Sequence, residues 1–552
     1  MPERAGHSKI LFSSEIMELS ESTKKLISLY ELAKNETANS SASPTLHVDE
    51  VASRVAAFYE HIRTIVDWKE EHLMRRAAII RKLKRKFFDL ELSGFANQNE
   101  AAESLILDLI RGGHLPNDKV PESKVEEVQD IINRYVFILK NSPEAELDKG
   151  GLDFYNWFLE VASCEIEDAL VPSIKERALM DFMFSEMKER IKISERIFES
   201  GFLKKENAAG QIYIAVQQAL FKLDKPMISY NLLMFKYPKW KKSDEQFLTG
   251  IAKAIVKIWQ AIEKDLACPL APKFYNITEK YDTPYLLLGD ILSEENEPAF
   301  SNPARIESLV KKAYQKRLST LKSRTKRAAI YSTISIFATK IISLILLSIL
   351  LSKILPEENQ TPTMLLADVL IPTALMFLIV SSIKIPSERN MKIVIMETMK
   401  IIYKKEAPDV CEIKKKKIKS LPMRITLSLM YAVSACVSFG GIYFAFHYFG
   451  FPLSSIVINM IFIALILFAG TAIGKRAQEL TIENEKESFL SFMTDMLFLP
   501  VQGLGQWISN KWKKYNAFTA IFNALIDMPF SAFVEFLEKW RYFVKERKEE
   551  IR

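Results

Sequence analysis

Four stretches of the chain carry almost nothing but apolar residues, at about 329–351, 364–383, 425–446 and 453–473. A bilayer's hydrocarbon core is about 30 Å thick, so a crossing helix needs roughly 20 apolar residues. Each stretch meets that length, and the pattern predicts four transmembrane helices. Four buried helices of a large soluble core are the alternative, but such long, sparsely charged runs are rare there.

Elsewhere apolar positions recur at three and four, the spacing of a helix with one buried stripe. Val51, Val55, Phe58, Ile62 and Ile65 open such a stripe, and Ile79, Leu83 and Leu90 resume it after a charged middle. Further helices are expected at about 99–111, 122–140, 152–170, 173–200, 205–223, 244–266 and 281–293, with breaks where Gly and Pro sit. No alternating run with hairpin turns is present, so this region reads as all-α. From Pro303 to about Ile354 the helical pattern is unbroken. One helix would then run from the cytosol into the first span, projecting roughly 35 Å below the bilayer. A break near 319–323 is the alternative.

The predicted plan follows. An N-terminal helix (8–34) and a Ser-rich linker occupy 1–47. An all-α cytosolic domain fills 48–302, and a basic juxtamembrane helix 303–327. The four spans lie in 328–474, with a basic cytosolic loop at 384–420. A C-terminal aromatic-rich amphipathic segment occupies 475–552. In that last piece Trp507, Trp512 and Trp540 lie near lysines, a pairing suited to the headgroup layer, so they are the expected interfacial anchors. The alternative is an amphipathic helix packed on the N-terminal domain. Asp527 and Glu535 argue against a fifth crossing there.

Charge placement orients the spans. Residues 311–327 hold eight basic residues and no acid, whereas the connection at 353–363 has one Lys and two Glu. The loop 384–420 has eleven basic and five acidic residues, the turn 447–452 has no Lys or Arg, and Lys475 and Arg476 follow the fourth run. Alternation of lysine-rich and lysine-poor connections predicts an even number of crossings with both ends cytoplasmic. No cleaved signal peptide is expected, because residues 1–12 lack a sustained apolar core. Lys414, Lys415, Lys416, Lys417 and Lys419 adjoin the third span. Near an anionic leaflet each lysine contributes about 1 kcal/mol, so anionic lipids are expected partners; fixing topology alone is the plainer role.

Composition excludes several classes. Hydrophobic residues make up 49% of the 552, ample for packed cores, so wholesale disorder is excluded. The four cysteines are widely separated and form no CxxC pair, which removes a disulfide-built scaffold. The net charge of +7 is small for the length, and nucleic-acid binding is not expected. Arg75, Arg76 and the basic run at 81–86 read as a solvated or lipid-facing face. The six histidines form no HExxH and no zinc spacing with cysteine; they read as surface or partly buried residues. No P-loop, dinucleotide-binding or nucleophile-elbow motif occurs, and Gly503 and Gly505 read as a loop. No cofactor, metal or catalytic residue is therefore expected.

Inside the apolar runs, Lys340 and Asp368 are the ionisable residues, and Pro372 can kink the second span and free a carbonyl. These three form the candidate intramembrane polar site. Counted from the ends of their runs, Lys340 and Asp368 differ in depth by roughly 10 Å, which argues for snorkelling to opposite interfaces rather than a direct pair. Ser428, Ala432, Cys436 and Gly440 recur every fourth position in the third span, and Gly470 and Gly474 form GxxxG in the fourth. Small residues let backbones approach, so these are the candidate packing positions, within the chain or between copies in a homo-oligomer.

The expected function is that of a polytopic membrane-anchored interaction or scaffold protein, whose helical cytosolic domain binds an unidentified protein partner. A transporter or channel subunit is the alternative. The biochemical activity itself is not legible in the residues.

Overall fold

The computed structural model describes residues 19–39, 44–48, 73, 75–84, 101–142, 151–242, 244–295, 300, 302–351, 361–403, 409–414, 421–482, 489–514, 536 and 540. The fold is all-α, with one short strand pair among the described residues. The chain divides into two compact units. Most of the first is residues 19–282 with 406–414; most of the second is 283–405 with 415–516.

The first unit is built of α1 (Glu21–Asn39), α2 (Ala101–Arg111), α3 (Ser123–Lys140), α4 (Gly151–Leu170), α5 (Ile174–Arg190), α6 (Glu195–Glu199), α7 (Lys205–Phe221), α8 (Lys225–Lys236), α9 (Glu245–Leu266) and α10 (Ala271–Glu279). Residues 75–84 are helical too. Helix α1 extends into the stretch read as a linker, and it buries Leu26, Ile27 and Tyr30 as it packs on α5. It is part of the domain because that apolar face needs cover. Helix α9 follows its predicted bounds closely: Asp244 accepts the Phe247 N–H at 2.8 Å, and Ile251, Ile255, Ile258 and Ile262 form its buried stripe. Helices α8 and α10 were not anticipated. Pro226 and Pro272 look like breaks in sequence, yet each sits in the first turn of a helix, where a missing N–H costs nothing. Conversely, the helix expected over 173–200 ends at Arg190. Beyond it β1 (Ile191–Ile193) pairs in parallel with β2 (Cys411–Ile413), with Lys192 opposite Glu412. The long loop after the second apolar run thus lends a strand to this helical unit.

The second unit contains α11 (Asp282–Glu294), α12 (Pro303–Leu351), α13 (Pro362–Ser381), α14 (Glu388–Tyr403), α15 (Leu421–Tyr448), α16 (Leu453–Ala477) and α17 (Phe489–Lys514). Helices α12, α13, α15 and α16 are long and apolar enough to cross a membrane. Helix α12 is continuous over 49 residues, about 73 Å, so no break occurs near 319–323. Its first half is a stalk. Ile306, Val310, Tyr314 and Leu321 are buried, Arg317 grips Asp290 of α11 at 2.8 Å, and Tyr314 Oη accepts from Asn390 of α14 at 3.0 Å. Asn390 also donates to the Leu480 carbonyl at 2.7 Å and accepts the Ile482 N–H at 3.0 Å. One amide therefore ties α12, α14 and the segment after α16 together. The second unit opens at Thr283, and α11 packs on the stalk through Asp290 and Arg317.

Between α15 and α16 the chain reverses in a few residues. Gly450 has φ +79°, and the Phe451 N–H donates to the Phe446 carbonyl at 3.2 Å. That left-handed C-terminal cap favours glycine. In the core of the bundle Phe446, Ile456, Ile463, Leu467 and Val501 pack together, and Met376, Val380 and Ile466 form a second cluster.

Candidate functional site

Two buried polar assemblies stand out, one in each unit. In the helical unit, residues 161–169 of α4 are buried on every side, yet they include Glu165, Glu167 and Asp168. A buried carboxylate needs its own partners. Glu165 accepts from Tyr135 Oη at 2.9 Å and Trp240 Nε1 at 2.8 Å and lies 3.3 Å from Arg134. Glu167 lies 3.3 Å from Arg75 and 3.2 Å from Arg76. Asp168 accepts from Arg177 at 2.7 Å, Lys241 at 2.9 Å and Tyr230 at 3.0 Å. Arg76 also makes a two-pronged pair with Asp224, at 2.8 and 2.9 Å.

Arg75 and Arg76 are therefore buried ion-pair partners. The expected solvated face is corrected: the acids of α4 sit too deep to be met by water. Burial, reinforced by Asp224 and Asp168, pushes the Glu167 carboxyl up to about 7 against the pull of Arg76 and Arg75. Burial likewise raises the Cys164 thiol to about 12, so it is a packed thiol and no nucleophile. Burial also opposes ionisation of Asp168, but Arg177 and Lys241 hold it below its ordinary range. His114 is buried, and its carbonyl accepts from Arg75 at 3.0 Å. Each of the three acids lies against a cation, so the layer ties α4 to the helices around it.

The second assembly lies among the apolar helices. Lys340 of α12 is 1% exposed. Its ammonium lies 3.1 Å from Asp368 Oδ2 on α13 and 2.8 Å from Asn459 Oδ1 on α16. The Phe462 ring covers it at 4.5 Å from the centroid. The Asn459 amide donates to Asp368 Oδ1 and to the Ser455 carbonyl, the latter at 3.0 Å. Oxygen toward the ammonium and nitrogen toward the carboxylate satisfies both neighbours. Three helices are thus joined by a closed, net-neutral triangle of polar groups.

The depth reckoning is overturned here, because Lys340 and Asp368 do pair. That reckoning placed backbone positions from the edges of the apolar runs. Helix α13 begins at Pro362, earlier than its run, and the long lysine stem closes the rest of the offset. Snorkelling would instead strand Asp368 and Asn459 without a cation. Asn459 carries no charge and so does not stand out in an apolar run. A lone amide in an apolar run, four residues after a serine, is the signal that would have found it. Pro372 is buried inside α13 and has no N–H to offer the Asp368 carbonyl four residues back.

The small-residue positions divide. Ser428, Ala432 and Cys436 are exposed along α15, and Gly440 has open space where a Cβ would stand. Among the described residues nothing packs on this stripe, because α15 turns its Ser434 face toward α17. Gly470 does mediate a close approach: a Cβ there would come within 2.4 Å of Ile379 on α13. Gly474 meets nothing within 4 Å. Gly503 and Gly505 lie within helix α17, not a loop, and Gly505 touches the Ala464 backbone of α16.

Of the surface candidates, Lys414 is largely exposed and pairs with Glu412 at 3.1 Å, while Lys415, Lys416, Lys417 and Lys419 lie outside the described residues. Trp507 and Trp540 are exposed, and the Trp512 side chain lies outside what is described. Among the described residues no group of three or more His, Cys, Asp and Glu side chains is arranged to hold a metal ion. A scan of protein-family models, a search of curated proteins and a search of solved structures each find no match to this chain.

Proposed function

We propose that the protein is a membrane-anchored interaction protein: its apolar helices fix a bundle in the bilayer, and its helical unit presents a binding surface at the cytoplasmic face. The closed Lys340–Asp368–Asn459 triangle carries this reading. Every polar group in it is answered by another, so it offers no open valence to a passing solute and acts as a lock between three helices. The strand pair supports the same reading: the chain leaves the bundle after α14, adds β2 to the helical unit, and returns at α15, tethering that unit a second time. The lysine-rich flanks support a topology with both ends of the chain in the cytoplasm and anionic lipid at the basic loop. The exposed small-residue face of α15 suits a second copy of the chain.

Purification in mild detergent, with identification of co-eluting proteins, tests the proposal. A specific stoichiometric partner that binds the helical unit supports it. Solute flux through proteoliposomes of the purified protein alone would overturn it in favour of a transporter.

A further inference from the structure

The C-terminal helix α17 contains Pro500 in its interior. A proline in a helix offers no N–H to the carbonyl four residues earlier, here Met496. In water such a carbonyl finds a solvent donor; in hydrocarbon it must find a protein donor or remain unpaired at a cost of several kcal/mol. Ser434 of α15 supplies that donor, with its hydroxyl 2.6 Å from the Met496 carbonyl, and Ser438 donates to the Leu497 carbonyl. Ser434 is the middle residue of its 28-residue apolar helix. Gly505 approaches Ala464, midway along α16, so closely that a Cβ would stand 2.0 Å from the Ala464 carbonyl oxygen. Pro500 and Val501 are buried in the bundle. Around the rest of α17 Phe492, Phe498, Leu499 and Trp507 are exposed, each at least 43%, with Asp495, Gln506 and Asn510 exposed among them.

From these observations we propose that α17 is embedded in the bilayer beside α15 and α16, and that its exposed Phe492, Phe498 and Leu499 contact lipid acyl chains. It is not an amphipathic helix lying in the headgroup layer. From Leu497 to Gly503 the contacts on α15 move back from Ser438 to Tyr431, so the helices run antiparallel. The Lys511 end of α17 therefore shares an end of the bundle with Leu421 and Ala477, the lysine-rich end. Residues 479–482 are held at the stalk by Thr283 and Asn390. Backbone away from regular pairing is tolerated at that depth only where protein answers it, which is the role of Ser434.

This inference rests on the membrane reading of the four long helices, and the test separates the two. Nitroxide labels are placed singly at Leu499, Phe492, Leu429 and Lys322 in the full-length protein in liposomes, and their collisions with dissolved oxygen and with a water-soluble nickel chelate are compared. Leu429 is 63% exposed on α15 and reports that span; Lys322 reports water. The expected result is that Leu499 and Phe492 match Leu429, with oxygen dominating. If both match Lys322 while Leu429 sees oxygen, α17 is outside the hydrocarbon and the inference fails alone. If both are shielded from oxygen and nickel, protein covers them and lipid contact is refuted. If Leu429 itself sees the nickel chelate, the spans fail and α17 fails with them.

Discussion

Replacing Lys340 with methionine keeps the length of the side chain and removes its charge. In the native bundle the ammonium, 1% exposed, lies 3.1 Å from Asp368 and 2.8 Å from Asn459. After Lys340→Met the carboxylate retains the Asn459 amide as its side-chain partner and loses its cation. Breaking a buried ion pair from one side costs about 3–5 kcal/mol, because the abandoned charge has lost its compensation. Replacing both members with apolar residues is often neutral or stabilising by about 1–4 kcal/mol. The lock therefore predicts a distinctive pair of outcomes. Lys340→Met alone lowers stability by about 3–5 kcal/mol, and Lys340→Met with Asp368→Leu recovers most of that loss. The loss is read as the midpoint of unfolding in a mixed-micelle SDS titration, followed by loss of tryptophan fluorescence. A single variant as stable as the native protein would refute the pairing. A double variant no better than the single would show that Asn459 and Phe462 need the cation for another reason, and would reopen a role in conduction.

Further outcomes follow from other contacts. Ser434→Ala strips the Met496 carbonyl of its donor and destabilises the bundle by about 1–3 kcal/mol, whereas adding Pro500→Ala restores a helical N–H and most of the stability; the same titration reads both. Gly505→Ala forces α16 and α17 apart and lowers the yield of monodisperse protein in gel filtration, while Gly474→Ala, in open space, leaves it unchanged. Asp224→Ala removes both the α8 cap and the two-pronged partner of buried Arg76, a loss of about 2–4 kcal/mol in thermal unfolding; Asp244→Ala removes only the α9 cap, about 1 kcal/mol. Glu167 holds its proton more tightly when folded, up to about 7, than unfolded near 4.5. Between those values the folded state binds the extra proton, so this group's contribution to stability falls as pH rises from about 4.5 to 7, by at most about 1.4 kcal/mol per pH unit. In Glu167→Gln that part of the slope disappears from the pH dependence of thermal unfolding.

The long periodic elements were legible because one physical rule governs each. Apolar runs of bilayer length have few other uses, and α12, α13, α15 and α16 follow them. The stripe of Ile251, Ile255, Ile258 and Ile262, opened by Asp244, marks α9 without help from the rest of the fold. Other features depended on distant partners. Arg75 and Arg76 look solvated until α4 brings Glu167 beside them. Strand β1 reads as the tail of α5, and only β2, more than two hundred residues later, makes it extended. The segment that holds α17 reads as interfacial because Trp507 and Trp512 lie near lysines, and nothing local reveals that Ser434 answers its proline.

The polar residues within the apolar helices support one inference about their purpose. A transport path needs polar groups that face a cavity and exchange partners with a solute. Here Lys340, Asp368 and Asn459 answer one another across α12, α13 and α16, and Ser434 and Ser438 answer the carbonyls of α17. In each case the partner lies on a different helix. Hydrocarbon gives helices little reason to associate, so interhelical hydrogen bonds and close backbone contacts such as Gly470 on Ile379 and Gly505 on Ala464 hold the bundle together. The polar groups are thus spent on cohesion. A cohesive bundle continued by the 49-residue α12 is what the proposed role, a binding unit held at a membrane surface, would require.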